Sequence, residues 1–193
     1  MADLDVLTEA VIKGDAATAK SITEEAVAEG VDVQVIVTQY LIPAMDEVGR
    51  RFEANEYFVP ELLIGARAMK GALAVLKPLM ADSGMEPVAT VAIGTVKGDL
   101  HDIGKNLVAS MLEGGGFEVI DLGVDVSPEQ FAQAVSEQNA SIVCLSALLT
   151  TTMGSMKDTI QALEAAGVRD RVRVMIGGAP VTQQYADEIG ADG

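Results

Sequence analysis

Very little in this sequence could by itself make a disulfide, a membrane anchor or a protein-built metal centre. Cys144 is its only cysteine, so no intrachain disulfide framework can form and a reducing compartment is expected. No apolar run approaches the roughly 20 residues that span a bilayer. The N-terminal Met1-Ala2-Asp3-Leu4-Asp5 is acidic where a secretory leader would be basic, so the cytoplasm is expected, with no membrane contact. Positive charge is scarce: 13 Lys and Arg stand against 29 Asp and Glu, a formal net charge of −16. Such a chain repels phosphate, which argues against nucleic-acid binding. The acidity is general, with 7 basic and 14 acidic residues in 1–85 and 6 and 15 in 86–193. Its plainest use is solubility; steering toward basic partner surfaces is the alternative. Histidine is equally scarce, since His101 has no second copy to help it ligate a metal.

What is present suffices for well-packed cores. Apolar residues make up 49% of the chain and charged residues 22%, outside the range of disordered sequences. A length of 193 residues allows one large domain or two small ones. The hydrophobic period decides for two. Through about Met80 the apolar residues recur at helical spacing, as in Val33, Ile36, Val37, Tyr40, Leu41, Met45, Val48 and Phe52. Helices are expected over 3–13, 15–29, 32–53 and 60–80, forming an antiparallel four-helix bundle. Pro60 suits a first helical turn, whereas Pro43 should kink the third helix.

From residue 88 the pattern becomes near-continuous apolar runs, Val88–Val96, Phe117–Leu122, Ile142–Leu145 and Val172–Ile176, which read as buried parallel strands. Amphipathic stretches at 104–114, 128–138, 153–166 and 180–189 alternate with them. Ser127, Pro128 and Gln130 form a capping-box start for the second of these. The expectation is an α/β fold: a four-helix bundle over 1–85, then a doubly wound parallel sheet over 86–193. Pro78 and residues 81–87 form the expected linker. In such sheets ligands bind beyond the carboxyl ends of the strands, which selects the loops 97–104, 123–127, 146–152 and 177–180.

The first of these loops reads Lys97-Gly98-Asp99-Leu100-His101-Asp102-Ile103-Gly104-Lys105-Asn106. Neither G-x-G-x-x-G nor G-x-x-x-x-G-K-[ST] can be written through it, so dinucleotide and P-loop chemistry lose support. Two readings remain. His101 could be an ordinary loop residue, with Asp99 or Asp102 capping the next helix. Alternatively, Asp99 accepts one imidazole N–H and frees the other nitrogen as a metal ligand, the two glycines giving close backbone approach. Protein-built metal sites usually need three or four side chains. One histidine is enough only for a macrocycle, such as haem or a corrinoid, that brings its own equatorial ligands.

The Asp99-x-His101-x-x-Gly104 spacing resembles the cobalamin-binding motif of methionine synthase, of B12-dependent mutases and of the corrinoid proteins of methyltransferase systems. Ser146-Ala147-Leu148-Leu149-Thr150-Thr151-Thr152 is similar to that family's Ser-x-Leu-x-Thr segment, and Gly177-Gly178-Ala179-Pro180 to its Gly-Gly turn. The resemblance implies a flavodoxin-like cobalamin-binding domain whose cofactor is cobalamin or a related corrinoid. It implies His101 as the axial cobalt ligand, Asp99 as its hydrogen-bond partner and Thr152 as the end of a proton-sharing relay. Gly98, Leu100, Asp102, Ile103, Gly104 and Leu148 would line the cofactor, and Ser146, Thr150, Gly177 and Gly178 would meet its buried nucleotide tail. Capping of the following helix is the ordinary alternative for the two hydroxyls.

The helical half is similar to the cap of methyl-carrying corrinoid proteins, as is Glu56-Tyr57-Phe58-Val59-Pro60-Glu61-Leu62-Leu63 to the start of that cap's last helix. Tyr57, Phe58 or Leu62 could touch the methyl group or could be bundle core. The implied function is methyl carriage on cobalt between a substrate-specific methyltransferase and an acceptor methyltransferase using tetrahydrofolate or coenzyme M, with a reductive activase as a further partner. Such a chain is a carrier component, not a complete enzyme. The subunit of a cobalamin-dependent isomerase and a cobalamin-sensing regulator are the alternatives. The family usually continues through a fifth strand and closing helix, and this chain stops at Ala191-Asp192-Gly193, about where that strand would run, which reads as a C-terminal truncation. Cys144 and the methionines, Met69, Met111 and Met175 among them, read as buried hydrophobes, and Lys97 and Lys105 as solvated.

Overall fold

The computed structural model describes residues 2–83 and 87–193 and divides the chain into two compact units. One comprises Met1–Pro87 with Ser110–Gly116, the other Val88–Ala109 with Phe117–Gly193.

In the first unit, α1 (Leu4–Lys13) and α2 (Ala16–Ala28) each start on an aspartate. The Asp3 carboxylate accepts the Val6 N–H at 3.3 Å and that of Asp15 accepts the Thr18 N–H at 3.0 Å, satisfying donors that a helix start leaves free. A short α3 (Val33–Val35) runs through a π-helical segment, Ile36–Leu41, into α4 (Ile42–Glu53). The expected third helix is therefore present, and the wide turn lies just before Pro43. Pro43 has no N–H, its ring crowds the carbonyl four residues back, and the Ile42 N–H reaches back five residues to the Val37 carbonyl. The long α5 (Val59–Ser83) passes straight through Pro78, so Pro78 belongs to the helix and not to the linker. A proline this near a helix end forfeits one hydrogen bond, which packing outweighs, since Leu76 is fully buried. Of the expected linker, residues 84–86 lie outside the described residues. The bundle core is aliphatic: Leu7, Val11, Ile36, Leu41, Val48, Leu62, Met69 and Leu76. Tyr57 packs against it.

From Thr90 onward strands and helices alternate: β1 (Thr90–Thr95), α6 (Ile103–Gly114), β2 (Glu118–Asp121), α7 (Pro128–Gln138), β3 (Ile142–Ser146), α8 (Gly154–Ala165), β4 (Arg173–Gly177) and α9 (Gln183–Ile189). Val88 is 62% exposed and lies outside the sheet, because pairing starts at Thr90 opposite Glu118. The α7 start is as expected, with Gln130 Oε1 accepting the Ser127 N–H at 2.9 Å. The last helix begins three residues later than expected, on Thr182, whose hydroxyl accepts the Tyr185 N–H at 3.2 Å.

All strands are parallel, in the order β2-β1-β3-β4. One face of the sheet, Ala92, Val96, Val143, Leu145 and Val174, buries against Phe131 and Val135 of α7 and Met156, Ile160 and Leu163 of α8. Beyond β4 the Asp192 N–H donates to the Val174 carbonyl and the Ile176 N–H to the Gly193 carbonyl, both at 2.8 Å, where the sequence reading puts a fifth strand. Met175 departs from expectation. It is 50% exposed, because it points to the face of β4 opposite that core, whereas Met69 is fully buried. Cys144 is buried in β3, and burial pushes its thiol up to about 11, as expected of an inert hydrophobe.

Candidate functional site

The chain leaves β1 toward β2 on one side and enters β3 toward β4 on the other, so the strand order reverses between β1 and β3. Beyond their carboxyl ends lies the crevice such a sheet offers a ligand. The loop after β1 carries the histidine motif, and the loop after β3 carries Leu148 to Thr152.

Asp99 joins the two loops. Its side chain is fully buried. One carboxylate oxygen accepts the backbone N–H of His101 at 3.0 Å and lies 2.7 Å from the His101 ring nitrogen Nδ1. The other accepts the Thr152 hydroxyl at 2.7 Å and the N–H groups of Leu148 and Leu149 at 2.8 and 3.4 Å. Burial alone would raise the carboxyl, but the hydrogen bonds from the His101 N–H, the Thr152 hydroxyl, the Leu148 N–H and the His101 ring hold it well below the usual carboxylate range. A carboxylate facing Nδ1 keeps the proton on that nitrogen, which leaves Nε2 with a free lone pair. The His101 side chain is 51% exposed, so the ring is open to an incoming group. The Thr95 hydroxyl donates to the His101 carbonyl at 2.9 Å and anchors the loop from below.

Of the two aspartates flanking the histidine, the fold brings only Asp99 to the ring. Asp102 turns toward α6, where its carboxylate accepts the Asn106 side-chain amide at 3.0 Å and its carbonyl the Asn106 N–H at 2.8 Å. Asp102 is thus engaged with the first turn of α6 and not with the ring. Leu100, Ile103, Leu148 and Leu149 are 70%, 87%, 44% and 43% exposed, so the half-open imidazole has large apolar side chains beside it in both loops. Gly98 sits at φ +85°, a conformation that favours glycine, and Gly104 has open space where a Cβ would stand.

Ser146 ends β3 half-buried and Thr150 is exposed. Neither caps α8, whose N-cap is Met153 without a side-chain hydrogen bond. Gly178 has a structural reason to be glycine: a Cβ there would lie 1.8 Å from the Ala147 carbonyl oxygen, and its φ is +142°. Its backbone therefore lies flush against the β3 loop, while Gly177 faces open space. Together with Val181, Thr182 and Ala186 the pair lines a cleft of about 120 Å³.

Lys105 is not solvated as expected. Its side chain is 2% exposed and pairs with Asp121 at the end of β2, whose carboxyl is held low by that ammonium and the Gly123 N–H against the effect of burial. Two contributors escaped the sequence reading, Asp121 at the end of β2 and Asp125 in the loop after it. The loop was marked by position alone, and nothing local distinguishes these carboxylates from surface charge.

The donor set is narrow. Among the described residues no group of three or more His, Cys, Asp and Glu side chains could hold a metal ion. What the site offers is one oriented imidazole nitrogen, apolar side chains beside it and a backbone cleft. That suits a metal arriving inside its own macrocycle.

Two family models match this chain. Residues 89–193 and residues 4–77 each match a family described as a B12 binding domain. The chain belongs to the B12-binding corrinoid proteins. It is 41% identical to a corrinoid protein of Desulfitobacterium hafniense across all of this chain and 91% of that one. It is 44% identical to a trimethylamine corrinoid protein of Methanosarcina barkeri across 95% of this chain and 86% of that one. Among solved structures, a cobalamin-binding protein of D. hafniense superposes with a TM-score of 0.81 at 36% identity, over 100% of this chain and 91% of that one. The methanol:cobalamin methyltransferase complex of M. barkeri gives 0.82 at 28% identity, over 94% of this chain and 69% of that one.

In the helical unit Tyr57, Phe58 and Leu62 have different surroundings. Leu62 is 2% exposed and is bundle core. Tyr57 is tied down, its hydroxyl donating to the Ile12 carbonyl at 3.2 Å and accepting from Arg51 at 3.0 Å, with the guanidinium 5.2 Å above its ring. Of the three, Phe58 alone is exposed, at 62%.

Proposed function

We propose that this chain is a methyl carrier that holds a corrinoid through His101 and passes a methyl group from a substrate-specific methyltransferase to an acceptor methyltransferase acting on tetrahydrofolate or coenzyme M. A reductive activase, a cytoplasmic setting and a division into a helical domain, 1–85, and a cofactor domain, 86–193, belong to the same reading. The observation that carries it is the Asp99 bridge, which presents the only imidazole of the chain at the switch point of the sheet. The trimethylamine and dimethylamine corrinoid proteins among its relatives support the methyl-transfer setting.

In this reading His101 Nε2 would hold cobalt, and Gly98, Leu100, Asp102, Ile103, Gly104 and Leu148 would form the surrounding surface. Ser146, Thr150, Gly177 and Gly178 would receive the nucleotide tail. The corrinoid supplies the metal atom on which a methyl group can ride. The protein orients the ring: its Nδ1 proton rests against the Asp99 carboxylate, so the Nε2 lone pair would face the cofactor. Thr152 donates to the second Asp99 oxygen and holds the carboxylate in place.

The test is to mix apoprotein with hydroxocobalamin, remove free cofactor and record visible spectra of wild type and His101→Ala. Wild type should emerge coloured, and the variant should bind with a shifted spectrum. Colourless wild type overturns the carrier reading, and identical spectra overturn the histidine–cobalt bond.

A further inference from the structure

The His101 loop is gripped from two sides, and only one grip belongs to the Asp99 relay. From the β3 side, Thr152 and Leu148 hold the Asp99 carboxylate, and the Ser155 hydroxyl donates to the Lys97 carbonyl at 3.0 Å. From the β2 side, a single residue makes two bonds. The Asp125 carboxylate accepts the Gly98 N–H at 2.7 Å, and the Asp125 N–H donates to the Asp99 carbonyl at 3.0 Å. These bonds flank the peptide that joins Gly98 to Asp99, the residue that orients the ring.

Asp125 sits in the left-handed region, at φ +53°, beside Gly98 at φ +85°. Aspartate tolerates this conformation better than most residues, yet glycine adopts it without strain. The side chain is exposed and contributes nothing to the hydrophobic core. Strain held next to a binding loop points from geometry to function. Of the possible occupants, Asp and Asn have a short side-chain oxygen that reaches the Gly98 N–H from this backbone shape.

We propose that Asp125 is a positioning residue for cobalt coordination: by clamping the Gly98–Asp99 peptide it holds the Asp99 carboxylate, and through it the His101 ring, in the pose that binds the metal. This rests on the carrier reading. It differs from a purely structural role for the turn, because glycine keeps the turn and the backbone bond to Asp99 but loses the carboxylate that holds the Gly98 N–H.

The test compares Asp125→Asn and Asp125→Gly with wild type in two measurements. The first is hydrogen exchange of the Gly98 amide in the apoprotein. It should be protected in wild type and the Asn variant and exchange at least tenfold faster in the Gly variant. The second is the visible spectrum after loading with hydroxocobalamin. The Asn variant should match wild type, whereas the Gly variant, equally well folded by circular dichroism, should move at least about half of the way from the wild-type spectrum to that of His101→Ala. A Gly variant with a wild-type spectrum overturns the inference while the carrier reading stands. An Asn variant as impaired as the Gly variant also overturns it, because the clamp needs only a neutral acceptor. Wild type that binds no hydroxocobalamin overturns the carrier reading and this inference with it.

Discussion

Replacing Asp99 by Asn keeps the shape of the bridge and inverts its hydrogen-bond logic. The carboxylate accepts four bonds of 3.0 Å or shorter, from the His101 N–H, the His101 ring, the Leu148 N–H and the Thr152 hydroxyl. An amide has one acceptor oxygen and two donors. In the rotamer that keeps its oxygen on Leu148 and Thr152, its NH2 group meets the His101 N–H and ring. Nδ1 must then accept, the proton moves to Nε2, and the nitrogen that faces the cofactor loses its lone pair. Hydrogen bonds to a charged group contribute about 1.5–3 kcal/mol against about 0.5–1.5 for neutral ones, so roughly 1 kcal/mol is lost at each retained bond. Removing a buried charge returns part of its desolvation cost, and the net penalty should be about 2–4 kcal/mol. That lies within the stability of a typical domain, so the variant should fold. Thermal unfolding of the apoprotein should drop by about 5–15 °C, at roughly 2–4 °C per kcal/mol for a chain of this size. The loss should also depend on pH in a definite sense. The Asp99 carboxyl is held low in the folded state, so its contribution is complete above about pH 4, the unfolded value, and fades only as pH falls toward the folded one. Wild type and variant should therefore differ by a constant amount from pH 7 to 5 and converge in acid. Nitrogen NMR of the imidazole should show the proton on Nδ1 in wild type and on Nε2 in the variant, and the variant loaded with hydroxocobalamin should resemble His101→Ala. Unchanged stability together with an unchanged tautomer would refute the reasoning.

Gly178→Ala should lower apoprotein stability by about 3 kcal/mol or more, because its Cβ would stand 1.8 Å from the Ala147 carbonyl oxygen. Gly177→Ala meets nothing within 4 Å and should fold like wild type, so urea midpoints of the two variants should differ clearly. Cys144, buried and with its thiol pushed up to about 11, should resist a thiol reagent at pH 8 until denaturant is added; rapid labelling of folded protein would contradict its burial.

Both halves of the architecture were legible in the chain, for separable reasons. Helical spacing through Met80 and unbroken apolar runs after residue 88 are local consequences of which faces must be buried, and α1, α2, α7 and the four strands fall close to where those periods put them. Pro78 misled because a local rule against helical proline is overridden by a buried helix face, and Met175 because the exposure of an edge strand depends on what covers it. His101 was conspicuous by being alone, and its flanking motif pointed to a corrinoid. The sequence could not choose between Asp99 and Asp102, separated from the histidine by two positions and one. That choice is tertiary: β3 pairs beside β1 and brings the Leu148 N–H and Thr152 hydroxyl, some fifty residues away, onto one carboxylate. The same holds for Lys105 and Asp121, and for Gly98 and Asp125. A period or a lone ligand type is a property of the chain, whereas the partner of a buried charge exists only once strand order has put distant loops side by side.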